Sequence, residues 1–184
     1  MTRSLKLFAP GMADLLGMTA AALYNRQREL VRAGLLEHEG HRGPGSGVRT
    51  TAGAVATLLI AALAEDGLAD VAVQTGRIIA AEDKSATEAN RHFRRFGDAL
   101  PALLTSEAKS RKVVDLTISK NAGLAVIRYR EGKSTISQTF INDAEKVPAI
   151  RKDATISGAI VAALSAQVRA IIEEGAVAEE PLRK

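Results

Sequence analysis

Residues 13–36, with the sequence ADLLGMTAAALYNRQRELVRAGLL, constrain the fold of this chain more than any other stretch. They predict two short helices joined at Gly17, because glycine adopts the left-handed backbone that a tight turn requires. Ala13 is small, as is needed where two helices cross closely. Thr19 is placed to cap the second helix, since its hydroxyl can accept a hydrogen bond from a first-turn N–H that otherwise lacks a partner. The first element expected is therefore a pair of helices that meet at one glycine.

The side chains of the second helix divide between two faces at helical spacing. The face expected to pack inward carries Leu23 and Leu30, with either Val31 or Gln27. The face expected to point outward carries Tyr24, Asn25, Arg28 and Arg32. One side of this helix can therefore pack while the other contacts a second molecule.

A glycine-rich basic segment, residues 37–51, follows the point where Gly34 ends the second helix. Its four glycines exclude a helix. The segment also carries His41, Arg42 and Arg49, and guanidinium groups on such a loop can settle against phosphates or enter the minor groove of DNA. It is interpreted as the wing of a β-hairpin or, alternatively, as a solvated linker, which its Gly/Ser/Arg composition also allows.

The helix pair, the RELVRAGLL ending and the Gly/Arg segment together resemble the winged helix-turn-helix regulators of bacteria and their phages, over about the first third of the chain. The resemblance implies that the second helix reads duplex DNA. It places Thr19, Ala20, Ala21, Tyr24, Asn25 and Arg28 at bases or the adjoining backbone, and Arg42 and Arg49 in the wing. Arg32, on the outward face, and His41, in the same loop, complete the candidate DNA contacts.

One position departs from this pattern. Arg26 or Gln27 stands where many of these helices keep an aliphatic residue, which predicts either an unusual tilt of the recognition helix or a partner that covers it. A helical hairpin with a polar outer face, as an ordinary piece of a helical domain, is the alternative to DNA binding.

Composition limits the class of protein. A chain of 184 residues with 46% hydrophobic content can form one sizeable core or two small ones. The absence of cysteine excludes disulfides, thiolate metal sites and cysteine nucleophiles, and fits a reducing compartment. The start MTRSLKLF predicts no secretory signal, and the apolar run 52–64 is shorter than the roughly 20 residues that cross a bilayer. A cytoplasmic protein that does not enter a membrane is expected.

Positive charge is enriched where the DNA contacts are expected. Residues 1–50 hold seven Lys/Arg and four Asp/Glu, whereas the rest of the chain holds eighteen and seventeen. The excess is small beside that of many nucleic-acid binders, so it supports the interpretation only mildly.

The expected fold class is α+β, with a winged helix-turn-helix domain over 1–51 and an α+β dimerisation or sensing domain over 52–184. Helices are predicted over 51–64, 71–82 and 86–104, the last interrupted near Gly97 or Pro101. From residue 112 the periodicity changes to two, and three strands near 114–119, 124–130 and 134–141 form an antiparallel meander. A helix over 157–174 packs against one face of that sheet.

Two features of this second part have more than one interpretation. The basic residues Arg91, His92, Arg94 and Arg95 alternate with Phe93 and Phe96. They could extend a DNA surface, but a solvated face with both phenylalanines packed inward is favoured. The last helix packs on its own sheet or forms a dimer contact, and dimerisation is slightly favoured because a lone recognition helix covers few base pairs.

Nothing in the sequence indicates catalysis, and neither a cofactor nor a metal is expected. The histidines are His38, His41 and His92, without the HExxH spacing of a zinc helix. His38 and His41 beside two glutamates could bind a metal, but histidines in a wing more often contact phosphate or solvent. The segment GPGSG lacks the Lys-Ser/Thr ending of a phosphate-binding loop, and no serine stands in a GxSxG turn.

The function expected is that of a sequence-specific DNA-binding transcriptional regulator, preferably a repressor, not an enzyme. It would bind double-stranded DNA as a homodimer through its C-terminal domain and respond to an unidentified protein or small-molecule effector. A phage-type DNA-processing or packaging component, similar to a terminase small subunit, is one alternative. A winged-helix protein-interaction module is the other.

Overall fold

The computed structural model describes residues 4–38, 47–65, 67–84, 93–142 and 151–178, which form seven helices and one five-stranded sheet. The helices are α1 (Leu5–Leu16), α2 (Ala20–Arg32), α3 (Ala52–Ala64), α4 (Val71–Ile79), α5 (Phe96–Leu104), α6 (Glu107–Ser110) and α7 (Gly158–Ala178). The strands are β1 (Glu82–Asp83), β2 (Val113–Ser119), β3 (Leu124–Glu131), β4 (Ser134–Ile141) and β5 (Asp153–Ser157). All strand pairs are antiparallel, in the order β1-β4-β3-β2-β5. The α+β class is as expected.

The turn between α1 and α2 forms at Gly17, as the sequence predicts. Gly17 has a φ of 65°, in the left-handed region that glycine enters without steric cost. The N–H of Met18 donates to the carbonyl of Ala13 at 2.9 Å and closes the end of α1. At the start of α2 the Thr19 hydroxyl accepts from the N–H of Ala22 at 3.1 Å. The predicted turn and the predicted cap are both confirmed.

Arg26 is buried between α2 and α3. Its guanidinium donates to the carbonyls of Ala61 at 3.3 Å, Glu65 at 2.9 Å and Ala22 at 3.4 Å. Ala61 lies in the last turn of α3, where carbonyls lack partners within the helix and the helix dipole is negative. Arg26, one of the two residues expected at the departing position, is thus covered by the same chain, and α2 and the end of α3 supply the acceptors that a buried arginine needs.

The buried apolar residues form one continuous cluster that extends from α1 to the sheet. α3 lies at its centre, with Val55, Leu58 and Leu59 inaccessible to solvent. It contacts α2, α4 and α5, and it also touches the sheet at β2. The helix predicted over 51–64 is confirmed, beginning after a cap at Thr51. A domain boundary at residue 51 stays a prediction.

The three-stranded meander is confirmed as β2, β3 and β4, but a sheet of only three strands is wrong. β1 pairs with β4 through Asp83 and Phe140, and β5 pairs with β2 through Leu116 and Ile156. β1 is two residues long, too short to show a periodicity of two. β5 runs directly into α7 at Gly158, where an added Cβ would lie 1.8 Å from the carbonyl oxygen of Val113.

Two predicted helices have wrong bounds. α4 ends at Ile79, and Glu82 lies in β1 rather than in a helix. The helix predicted over 86–104 is α5, which begins only at Phe96, while residues 85–92 lie outside the described residues. Gly97 and Pro101 lie within α5 instead of interrupting it. An added Cβ at Gly97 would lie 2.8 Å from Cγ2 of Ile79, so the close packing of α5 on Ile79 requires glycine at this position.

The favoured interpretation of the basic cluster is confirmed for its described residues. Phe96 is fully buried and packs edge-to-face on Phe140, with ring centroids 5.3 Å apart, and Phe93 is half-buried. Arg94 and Arg95 are exposed, and Arg94 forms an ion pair with Glu82 at 3.4 Å. Arg91 and His92 lie outside the described residues.

The last helix, predicted over 157–174, is α7, and it covers the inner face of the sheet. Val161, Leu164 and Val168 are buried, and α7 contacts β2, α5 and α6. Packing on its own sheet is therefore confirmed, while a dimer contact stays a prediction. Within the described ranges, no helix combines the length and apolar character required to span a membrane.

Candidate nucleic-acid interface

The outward face of α2 is open to solvent over its whole length. Its exposed side chains include all the candidate contacts on this helix and its cap, namely Thr19, Ala20, Ala21, Tyr24, Asn25, Arg28 and Arg32. The sequence prediction of which residues point outward is therefore confirmed. The glycine-rich segment contributes one described candidate, Arg49, which is exposed and whose backbone bridges to Ser4. The candidates His41 and Arg42 lie outside the described residues.

A groove of about 430 Å³ lies beside α2, between the start of α1 and the residues that flank the glycine-rich segment. We call it the α1–α2 groove. Its lining residues are Lys6, Tyr24, Gln27, Arg28, Val31, Arg32, His38 and Gly47. Because none of these is acidic and three are Lys or Arg, the groove presents positive charge to solvent.

Lys6 is brought to this groove by the crossing of α1 over α2. Its ammonium nitrogen lies 5.5 Å from the centroid of the Tyr24 ring, within the range of a cation–π interaction. Tyr24 remains 39% exposed, so its ring is also available to another molecule. Sequence reasoning missed Lys6, because spacing along α2 says nothing about which residue of α1 lies beside it.

The two outward arginines of α2 differ in their partners. Arg32 forms an ion pair with Glu29, three residues earlier, at 2.6 Å. Such an exposed pair on one helix contributes little stability, so Arg32 can exchange Glu29 for another anion. Arg28 has neither a carboxylate nor a hydrogen-bond partner among the described residues. Its guanidinium is therefore available for recognition.

Gln27 lies at the floor of the groove and is only 6% exposed. Its side-chain oxygen Oε1 is shut off from solvent, and no donor within the described ranges reaches it. A buried acceptor without a donor costs stability, because it has lost its hydrogen bond to water. The sequence placed Gln27 as one candidate for the inward face, and nothing in the spacing predicted that it would line a groove.

On the outer face of the sheet, by contrast, polar side chains on neighbouring strands form hydrogen bonds with one another. Arg128 on β3 pairs with Asp115 on the adjacent strand β2 through two hydrogen bonds, one of them 2.8 Å long. This hydrogen bonding and the negative charge of Asp115 raise the pKa of Arg128 above its ordinary value. Thr117 and Thr155 face each other across β2 and β5, with hydroxyl oxygens 2.9 Å apart. Arg128 is therefore part of the fold.

A second polar cluster lies inside the fold, where β1 meets β4. The carboxylate of Asp83 is buried and accepts a hydrogen bond from the Gln138 amide at 2.7 Å. Burial, and secondarily the charge of Asp83, raise the pKa of Tyr129 to about 12. Among the described residues, no three His, Cys, Asp or Glu side chains come together as a metal site would require.

The chain was also compared with known proteins. Searches against protein-family models, curated proteins and solved structures each returned no significant match. The features available for inferring function are therefore the exposed face of α2, the α1–α2 groove and the charges around them.

Proposed function

We propose that this chain is a DNA-binding regulator that reads duplex DNA with the outward face of α2, in the manner of a winged helix-turn-helix protein. The observation that carries the proposal is the state of Arg28. It is exposed near the middle of α2, without a carboxylate partner in the described part of the chain, on a face whose other residues also point to solvent.

The dimensions of α2 suit the major groove. Its 13 residues span roughly 20 Å, and a groove about 12 Å wide admits a helix of this kind. An arginine can donate two hydrogen bonds to guanine, and an asparagine pairs with adenine. Arg28 and Asn25 are therefore the proposed base-reading residues.

Phosphate contacts are proposed for the residues around α2. Lys6, Arg32 and Arg49 are exposed beside or on the helix, and the small side chains of Ala20 and Ala21 allow the backbone to approach DNA closely. Such contacts supply affinity through release of counterions, and they fix the position of the helix without reading sequence. His41 and Arg42 are proposed to add contacts from the wing.

Arg26 lies on the opposite, buried face of α2 and supports the proposal because it holds this helix in place. A reading helix must be held at a defined angle, and two of the three hydrogen bonds of this guanidinium join α2 to the end of α3. The same helix thus has a buried arginine that fixes it and an exposed arginine that is available for DNA. Repression, and dimerisation through the C-terminal part of the chain, complete the proposed function.

The test is selection of duplexes from a random library by the purified full chain at near-physiological salt, together with its mass in solution. Enrichment of an inverted repeat with a dimeric mass is the expected result. A ring of many subunits would favour the DNA-packaging alternative. Absence of any enrichment, with no binding to duplex, would overturn DNA recognition and leave a protein-interaction module.

A further inference from the structure

Part of β4 forms an open edge of the sheet, on the side away from β3. β1 pairs only with the end of β4, at Phe140 and Ile141, and just beyond it the N–H of Lys84 donates to the carbonyl of Thr139 at 2.9 Å. On this side, residues 134–138 meet no strand from the described ranges. We call these residues the β4 edge.

The backbone groups that point outward from the β4 edge belong to Thr135 and Ser137. In an antiparallel sheet, successive residues direct their N–H and C=O groups to alternate sides of the strand. Thr139 directs its carbonyl to Lys84, away from β3, and the register of β4 with β3 is unbroken. Thr135 and Ser137 therefore each present one donor and one acceptor on the outer side, where the described part of the chain supplies no partner for them.

The two edges of the sheet differ in charge. Exposed edges usually carry lysine, proline or a bulge, which prevents pairing with another chain. The β4 edge has the sequence STISQ, without charge or proline, and its register with β3 shows no bulge. At the opposite edge, β5 begins at Asp153, which forms an ion pair with Arg151 at 3.7 Å, and Lys152 beside them is exposed. The β4 edge is therefore suited to pairing with a further strand, whereas the start of β5 is charged.

Ile136 lies at the middle of the β4 edge and is 47% exposed. No other large apolar side chain is exposed in the described part of the sheet. Its register partner on β3 is Tyr129, which is half-buried, so the two side chains share one face of the sheet. A strand added at this edge would need an apolar side chain opposite Ile136.

We propose that the β4 edge pairs with the β4 edge of a second copy of this chain, antiparallel and about a two-fold axis at Ile136. Thr135 would then exchange backbone hydrogen bonds with the partner's Ser137, and Ser137 with the partner's Thr135. Ile136 would face the partner's Ile136 in a pair without hydrogen bonds, in which side chains approach most closely. The second copy is the occupant that fits because the edge is complementary to itself: an apolar residue at the centre has an outward-pointing polar residue on each side.

This inference rests on the dimer of the proposed function and names its surface. Pairing of two short edges buries less area than the roughly 1,600 Å² of a standard interface, so a dimer with a micromolar dissociation constant is expected. Two half-sites on one duplex would strengthen the pairing, because binding to them brings the two copies together.

The test is sedimentation of the full chain without DNA, at protein concentrations from about 1 to about 200 μM, which cover the weak interface expected. The mass should rise with concentration from 19.4 kDa to twice that value and stop there. A monomer at every concentration would overturn the proposal. Masses beyond the dimer would also contradict it, because a two-fold pairing closes on itself.

The first variant tests the centre of the interface. Ile136→Lys should raise the dissociation constant of the dimer at least about tenfold, because two like charges would face each other across the axis. Its matched control is Ile172→Lys on α7, since Ile172 is exposed to a similar extent, 43%, and lies away from the β4 edge. Dissociation by the control but not by Ile136→Lys would assign the dimer to α7 and overturn the proposal.

The second variant tests the backbone pairing. Ser137→Pro removes an N–H that points outward and keeps the hydrogen bonds between β4 and β3, as proline at a strand edge does. It should prevent dimerisation, whereas Ser137→Ala keeps the N–H and should still dimerise. Circular dichroism of each variant checks that the fold is intact. A folded Ser137→Pro variant that dimerises as the natural chain does would contradict pairing through β4.

Binding to duplex separates this inference from the proposed function. Ile136→Lys should bind a duplex with one half-site as the natural chain does, and should lose only the additional affinity for the inverted repeat. If the chain dimerises through the β4 edge but binds no duplex, only the DNA proposal fails. If it binds duplex and Ile136→Lys leaves the dimer intact, only the β4 proposal fails.

Discussion

Polar side chains on the surface of α2 and on the outer face of the sheet differ in whether they have hydrogen-bond partners within the chain. On the sheet, Arg128 pairs with Asp115 and Thr117 pairs with Thr155, so these groups satisfy one another. On α2, neither Arg28 nor Oε1 of Gln27 has a partner in the described part of the chain. Of these two groups, Oε1 of Gln27 is buried, whereas the guanidinium of Arg28 is exposed and is therefore available to another molecule. The comparison supports the proposal that α2 is the binding surface.

The largest effect is expected on the buried side of α2. Arg26→Ala removes the hydrogen bonds to the carbonyls of Ala61 and Glu65 and opens a gap between α2 and α3, so the free energy of unfolding should fall by roughly 3 kcal/mol. Urea unfolding followed by circular dichroism measures this loss. Arg28→Ala is the matched control on the same helix and should change stability by no more than about 0.5 kcal/mol. Equal losses would contradict the division of α2 into a packing face and a free face.

The next effect is expected on DNA affinity. Arg28→Ala should weaken binding to the selected duplex by about 1–3 kcal/mol, and less so to random duplex, because a base contact is lost. Fluorescence anisotropy with both duplexes measures this difference. Arg130→Ala removes an exposed arginine from the sheet and should leave both affinities nearly unchanged. Equal weakening on both duplexes would remove Arg28 from base readout.

A smaller effect is expected at the start of α2. Thr19→Ala removes the hydroxyl that accepts from the N–H of Ala22, so stability should fall by about 1 kcal/mol. Thr19→Ser keeps the acceptor and should restore most of that stability. Thermal unfolding of the two variants measures the difference, and an Ala variant as stable as the Ser variant would show that the cap does not hold α2.

The last effect belongs to the sheet side of the comparison and is confined to alkaline pH. Because the pKa of Tyr129 is raised to about 12, the folded state favours the protonated phenol relative to an unfolded chain, in which tyrosine titrates near about 10. This stabilisation is fully present below about pH 10 and is lost as the pH rises through about 12. Tyr129→Phe should flatten the decline in stability over that range and leave DNA affinity at neutral pH unchanged. An unchanged pH profile would contradict the raised pKa of Tyr129.

The sequence predicted the elements that depend on local rules. Gly17, Thr19 and the two faces of α2 follow from backbone conformation, capping and helical spacing, and all three are confirmed. The meander follows from alternation of apolar residues over strands of seven or eight residues. Each of these signals lies within about ten consecutive residues.

What the sequence did not predict depends on contacts between distant elements. β1 is too short to carry a pattern, and it forms only because β4 offers it an edge. The role of Arg26 depends on the end of α3, 35 residues away in the chain. Lys6 reaches the groove only because α1 crosses α2, and Oε1 of Gln27 lacks a partner only in the folded chain. The groove therefore could not be derived from spacing alone.

The most direct test of the central claim is the salt dependence of duplex binding by two double variants with the same loss of charge. Lys6→Ala with Arg28→Ala removes two cations from the α2 surface, and Lys109→Ala with Arg130→Ala removes two from elsewhere. Between about 50 and about 200 mM salt, the first should reduce the slope of log K against log salt by up to about 2, while the second leaves it nearly unchanged. Equal slopes for the two double variants would contradict DNA binding by α2.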